Sequence, residues 1–401
     1  MEYKQFNILL RFVRLLLFGV LIVACASPGT QPFVAAPALP APANASESAS
    51  GEWAMEGHAP DRSRATSDVL ALPTRLVSEY EIGGDTQFGS PVGVAQGTLF
   101  ADGEQLLYAL NAADGTERWR FNLPGSFLSP AVAGSRVFVR AEAGADGFIF
   151  ALSLDAGAKL WQYRFPAVGS SYDNVGGHVT SPLVAENRVL VGAAQSLYAL
   201  DVETGAVVWE YGLQNPIASS VAVADGLVYV SDFTHLYALS VADGSEKWSF
   251  EFDTVSLFFA PVVLADQVII TSFDTAYSLD RRTGQLLWAK QLPDLQIIPA
   301  GAYGDQIYVK STNSLVALDR TSGAELWRYT TLNFISLPAV TEGYLYVIDR
   351  YGEGSHLLAI GRTDGQEVWR SEQAQLARSA PTVAAGRLFV RTENGRILGY
   401  Q

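Results

Sequence analysis

Cysteine is almost missing from this chain, with Cys25 alone among 401 residues. No disulfide can close within it and no Cys-rich metal site can form. Histidine is scarce as well. His58, His178, His235 and His356 stand far apart in the sequence, and none is paired at ligand spacing, which argues against a metal centre. Charged residues make up only 17% of the chain, and acids outnumber bases 41 to 27, for a net charge of −14. That surface repels nucleic acid and anionic headgroups and suits a basic or neutral partner. No Gly-x-Ser-x-Gly elbow, Gly-rich phosphate loop or basic aromatic patch occurs. The apolar run Leu15 to Ala24 is too short to span a bilayer.

That run has an informative setting. Lys4, Arg11 and Arg14 precede it and Ile22-Val23-Ala24-Cys25 closes it, so residues 1–24 read as an export signal. The closing four residues resemble the bacterial lipobox. The resemblance implies cleavage before Cys25 and a lipid on that cysteine, holding the protein to a membrane of the cell envelope without a spanning helix. Removing the first 24 residues, which carry three bases and one acid, takes the net charge to −16. Residues 25–51 are Ala, Pro, Ser and Gly with hardly a charge, a composition that makes a flexible tether. Residues 52–73 contain the apolar patch Trp53 to His58 and read as a segment docking on the folded body, which covers 74–401.

What the body has in abundance is repetition. Trp119, Trp161, Trp209, Trp248, Trp288, Trp327 and Trp369 each follow a glycine by four residues, at steps of 42, 48, 39, 40, 39 and 42. A period near 40 means one supersecondary unit reused. Within a unit such as Ala260 to Leu292, four short apolar or β-branched runs are separated by Gly, Asp or Asn, and no helical period appears. This describes a four-stranded antiparallel meander. Asp201, Asp280 and Asp319 each start the turn before a tryptophan, and Gly205, Gly284 and Gly323 supply its positive φ. Asn111 takes the aspartate's role in the first unit, and Ser153, Ser240 and Gly361 are weaker versions. One aspartate per turn is turn chemistry, not calcium ligation.

Units open at Ser90, Ser129, Ser181, Ser219, Ala260, Pro299, Leu337 and Ala380, one more than the tryptophans. The eighth ends after three strands, and Arg75 to Tyr80 aligns with the missing fourth, with Ser78 at the tryptophan position. Pairing the two ends would close a ring with no exposed terminal edges. The expected fold is therefore all-β, an eight-bladed propeller, with seven blades as the alternative.

The segment Ala199 to Trp209, ALDVETGAVVW, resembles the A-x-D-x-x-T-G-x-x-x-W docking motif of the quinoprotein-type (PQQ-like) β-propellers, and Ala317 to Trp327 matches except at Ser322. The resemblance implies that each indole wedges between neighbouring blades. Enzymes of that family hold pyrroloquinoline quinone (PQQ) over the ring centre with Ca²⁺ ligands, a catalytic aspartate and, in many, a vicinal cysteine pair. This chain lacks the pair, and its short units leave little room for the enzyme pocket. It is similar in architecture to the lipid-anchored, non-catalytic propeller of the outer-membrane β-barrel assembly machinery.

The expectation is a monomeric, lipid-anchored binding scaffold using no cofactor, with an envelope protein as partner, no nucleic acid, and the membrane reached only through the anchor. The competing readings are a PQQ-dependent dehydrogenase and a carbohydrate-active or carbohydrate-binding propeller. Three places break the repeat and are candidate contact loops. They are residues 167–180 with Tyr172, Asp173, Asn174 and His178, the insertion Ala141 to Asp146, and the stretch at Arg350 and Tyr351. A row of apolar residues two positions before the unit openings, Phe88, Phe127, Val179, Ile217, Phe258, Ile297 and Ile335, is broken by Arg378, a candidate for the central channel.

Overall fold

The computed structural model describes residues 52–401 except 69, 71, 73–74, 83–89, 104, 144–145, 166–179, 294–295, 333, 352–353 and 373. Eight antiparallel sheets follow one another along the chain, each a meander from an inner to an outer strand. The inner strands include Gly93–Ala95, Ala131–Ala133, Leu183–Ala185, Ala222–Ala224, Val262–Val263, Ile298–Tyr303, Ala339–Val340 and Thr382–Ala384. We number the blades 1 to 8 in that order. The eighth is completed by Leu76–Glu81, which pairs with Arg396–Tyr400 and sets Tyr80 opposite Ile397. The eight-bladed ring and its closure by an N-terminal strand are as the sequence predicts.

Alternation in the strands sets the layers. In the second and third strands both faces are buried, as in Val228 to Ser231 and Leu236 to Leu239, because each face meets another blade. The outer strands bury little apart from the tryptophan itself, as in Glu117–Asn122. In every blade the outer strand carries a β-bulge beside the tryptophan position: the register slips between Ala199 and Leu200 where they face Trp209 and Val207. A bulge re-aims the neighbouring side chain, and here it leaves Leu160, Val208, Leu287, Leu326 and Val368 facing solvent.

The indoles hold adjacent blades together through one repeated contact. Trp119, Trp161, Trp209, Trp248, Trp288 and Trp327 each donate Nε1–H to a carbonyl in the next blade's turn: Leu154, Val202, Val241, Arg281, Arg320 and Arg362, at 2.8–3.0 Å. Each ring also lies on the glycine of that turn. A Cβ on Gly157, Gly205, Gly244, Gly284, Gly323 or Gly365 would come within 2.8 Å of the preceding blade's indole. From Trp161 onward, the glycine four residues before each tryptophan thus serves the tryptophan one blade earlier.

At the seam between blades 8 and 1 a tyrosine performs this role. Tyr80 donates its hydroxyl to Ala112 O at 3.1 Å, and its ring lies against Gly115. The substitute stands two residues beyond Ser78, the position where alignment places a tryptophan. Ser78 itself is packed against Gly399. Arg391, completely buried, ties the same seam by donating to Ser90 O at 3.1 Å and pairing with Asp102.

Candidate functional site

The central channel is where the chain departs most from a bare repeat. Inner strands leave edge N–H groups facing the axis, and unpaired donors there are costly. Residues Trp53 to Thr66 satisfy them in blades 1, 2 and 4 to 7, in sequence order. Trp53 exchanges two backbone hydrogen bonds with Val94 of blade 1, and Val132 of blade 2 donates to Ala54 O. At blade 3, the Ser181 side chain lies near the Glu56 carboxylate, and Met55 joins the apolar cluster of Leu183. Val223, Val263, Ala302 and Val340 of blades 4 to 7 donate to Pro60 O, Asp61 O, Ser63 O and Arg64 O at 2.8–3.0 Å, and Thr66 donates to Val340 O at 3.0 Å. Leu70 then packs with Val383 of blade 8. The segment is a belt round the channel wall, anchored at its start by Trp53, which is 1% exposed and meets His58 edge-on at 4.9 Å.

The belt carries charge into the channel. Arg62 and Arg64 are 4% and 6% exposed. Arg62 donates through Nε to Val221 O and pairs with Glu56 at 3.4 Å. Burial alone would raise the Glu56 carboxyl, but Arg62, Ser181 and Arg64 together hold it below its usual value. Burial lowers Arg64 to about 10 against the pull of Glu56, with Arg62 adding repulsion. Burial also lowers His58 to about 4, keeping the imidazole neutral at pH 7. A cavity of about 240 Å³ lies between the belt and the first residues of the inner strands in blades 4 to 7, lined by Glu56, Arg62, Arg64, Ser219, Ser220 and Phe259 among others.

Antiparallel order puts two sets of loops on the same face of the ring: those joining one blade to the next, and those joining second to third strands. The insertion Ala141 to Asp146 and the stretch at Arg350 and Tyr351 are lengthened second-to-third hairpins, in blades 2 and 7. Arg350 is bound to Glu393 of blade 8, so it braces two blades. Arg378 belongs to the blade 7 to blade 8 connection. It is exposed, with its guanidinium 5.5 Å from the Phe334 ring centre, whose other cation is Lys310 at 5.2 Å. Tyr172, Asp173, Asn174 and His178 lie outside the described residues, as do Phe88 and Val179.

Ile217, Phe258, Ile297 and Ile335 are buried where the blades join. The same face bears exposed apolar side chains that the sequence reading missed: Val255 at 76%, Phe273 at 42% and Leu332 at 77%. They sit in loops outside the periodic strands, so no pattern marks them. Where Ser240 or Gly361 opens the turn, an aspartate three residues on takes over: Asp243 accepts from Ser245 N–H and its hydroxyl, and Asp364 from Gln366 N–H, while Ser153 itself accepts from Ala158 N–H. Among the described residues, no three His, Cys, Asp or Glu side chains gather closely enough to hold a metal ion.

Comparison with known proteins places this geometry. The family model described as outer membrane protein assembly factor BamB matches residues 62–171, 145–296 and 311–401. The outer membrane protein assembly factor BamB of Shewanella oneidensis is 26% identical over 202 residues, which are 49% of this chain and 42% of that protein. The chain therefore spans less than half the length of that relative. Among solved structures, BamB from Moraxella catarrhalis aligns with a TM-score of 0.62 at 19% identity, over 82% of this chain and 97% of its own. A quinohemoprotein alcohol dehydrogenase from Pseudomonas putida HK5 aligns at 0.69 and 13% identity, over 88% and 80%. At such identities the two structures share the fold with this chain.

Proposed function

The chain belongs to the family of the outer membrane protein assembly factor BamB, and from that membership and its belted channel we propose a lipid-anchored, non-catalytic scaffold of the bacterial envelope. In this reading Cys25 carries the lipid, residues 26–51 tether the ring, and the ring docks a protein partner engaged in outer-membrane protein assembly. The observation that carries it is the belt. Enzymes with this fold hold PQQ over the ring centre, whereas here Trp53 to Thr66 is bonded round the channel wall. We read the chain as using no cofactor and acting from its surface as a monomer.

The partner surface we assign is the face carrying Val255, Phe273 and Leu332, together with the loop 167–180 and Arg378. Exposed apolar side chains rimmed by polar groups on a rigid scaffold suit protein contact. The test is a pull-down from solubilised envelope with tagged wild type, Val255→Glu/Phe273→Glu, and a variant lacking 167–180. Wild type should recover a component of the assembly machinery, and at least one variant should lose it at least tenfold at an unchanged Tm. Equal recovery by all three overturns the surface assignment. Saturable turnover of an alcohol or sugar with added PQQ and Ca²⁺ overturns the non-catalytic reading. Cys25→Ser should move the protein from the membrane to the soluble fraction, and retention on the membrane would refute the anchor.

A further inference from the structure

The belt carries two guanidinium groups and two carboxylates, but Asp61 accepts from Ser63 N–H and only Glu56 acts on the arginines. Arg62 is engaged with Glu56 and Val221 O. Arg64 has no comparable partner: its Nη1 makes no hydrogen bond among the described residues, and the charges acting on it are Glu56 and the repelling Arg62. A buried cation left short of acceptors is costly, and a guanidinium is shaped to take an oxyanion on two parallel N–H bonds. Both arginines line the cavity between the belt and blades 4 to 7, with Ser219 and Ser220 on its wall. We propose that this cavity is a binding site for one small oxyanion, a carboxylate or phosphate group, held chiefly by Arg64 with Arg62 beside it.

Size and surrounding charge narrow the ligand. About 240 Å³ admits a group of a few heavy atoms or the end of a longer molecule, not a folded chain. The protein outside is strongly acidic, with a net charge of −14, so a polyanion is repelled before it reaches the mouth. Glu56 is the competing acceptor: it shares Arg62 and also acts on Arg64. An anion in the cavity would give the Arg64 guanidinium an acceptor and fasten the belt to the channel wall. This site is independent of the partner surface assigned above, because none of its lining residues is among those named there.

The experiment is calorimetric titration of the full chain in detergent with sodium phosphate and, separately, sodium acetate, at fixed ionic strength held with sodium chloride. Wild type should bind one or both saturably, near one per chain. Binding of acetate alone identifies a carboxylate site, and binding of phosphate alone a phosphoryl site. Arg64→Met should weaken binding at least tenfold, and Glu56→Gln should tighten it severalfold by releasing Arg62. If Arg64→Met fails to fold, Arg64→Lys and Glu56→Gln decide: the lysine variant should retain binding and the glutamine variant should gain it. Absence of saturable binding in wild type overturns the site, as does equal binding by a folded Arg64→Met or no gain in a folded Glu56→Gln.

Discussion

At the scale of single residues, the ring is held by a contact between a large flat side chain and the absence of one. Gly205 has φ +71°, and a Cβ there would come within 2.6 Å of the Trp161 ring. Gly304, at φ +59°, has nothing within 4 Å of the same imaginary atom. The pair separates backbone strain from the docking contact. Gly304→Ala should cost only the left-handed penalty, about 1 kcal/mol, whereas Gly205→Ala adds overpacking for a total of about 2–4 kcal/mol. Denaturant unfolding measures both, and equal losses would mean that the indole contact adds nothing. Tyr80→Phe keeps the ring and removes the hydroxyl bonded to Ala112 O, for an expected loss of about 1 kcal/mol. The tryptophan positions were legible in the sequence because their spacing repeats. Tyr80 was hidden because it reaches the same contact from two residues along.

The element scale belongs to the turns and the belt. Hydroxyl and amide hydrogen bonds from Thr204 to Asp201, from Ser245 to Asp243 and from Ser322 to Asp319 hold all three carboxyls below their usual range, Asp243 at about 2. A group whose pKa is lower in the folded state stabilises fully above its unfolded value, near 4, and loses that contribution as pH falls through the folded value. Tm should therefore drop between about pH 4 and pH 2 in part through these turns. The triple variant Asp201→Asn/Asp243→Asn/Asp319→Asn should flatten that drop in thermal scans. An unaltered slope would place acid sensitivity elsewhere. For the belt, Trp53→Ala should cost about 3–5 kcal/mol, the usual loss for a buried tryptophan, and should quicken proteolysis between Trp53 and Thr66. Resistance equal to wild type would show that the remaining belt hydrogen bonds hold the segment without its anchor.

For the whole molecule, the question is closure. Leu76–Glu81 stands some 320 residues from its partner strand Arg396–Tyr400, and no local interaction brings the two together. Ending the chain at Glu393 removes that partner and exposes two strand edges, an invitation to edge-to-edge association. The truncated protein should elute as oligomers by size exclusion and unfold at lower denaturant than wild type. A monomer of unchanged stability would mean that closure is dispensable.

Repetition determined the architecture from sequence alone. A unit read eight times, each copy with its own turn and nearly all with a tryptophan, reports its own boundaries, and the short last unit pointed to the strand that completes it. Tertiary structure decided what repetition cannot encode. The belt's bonds run through backbone atoms of residues 53–66, whose side chains follow no period, so its sequence shows an apolar patch but not a path round the channel. The pairing of Arg64 with a cavity, and the gathering of Val255, Phe273 and Leu332 on one face, arise only when distant loops are carried to the same end of the ring. Sequence periodicity records contacts that every blade shares, while the site consists of contacts that occur once.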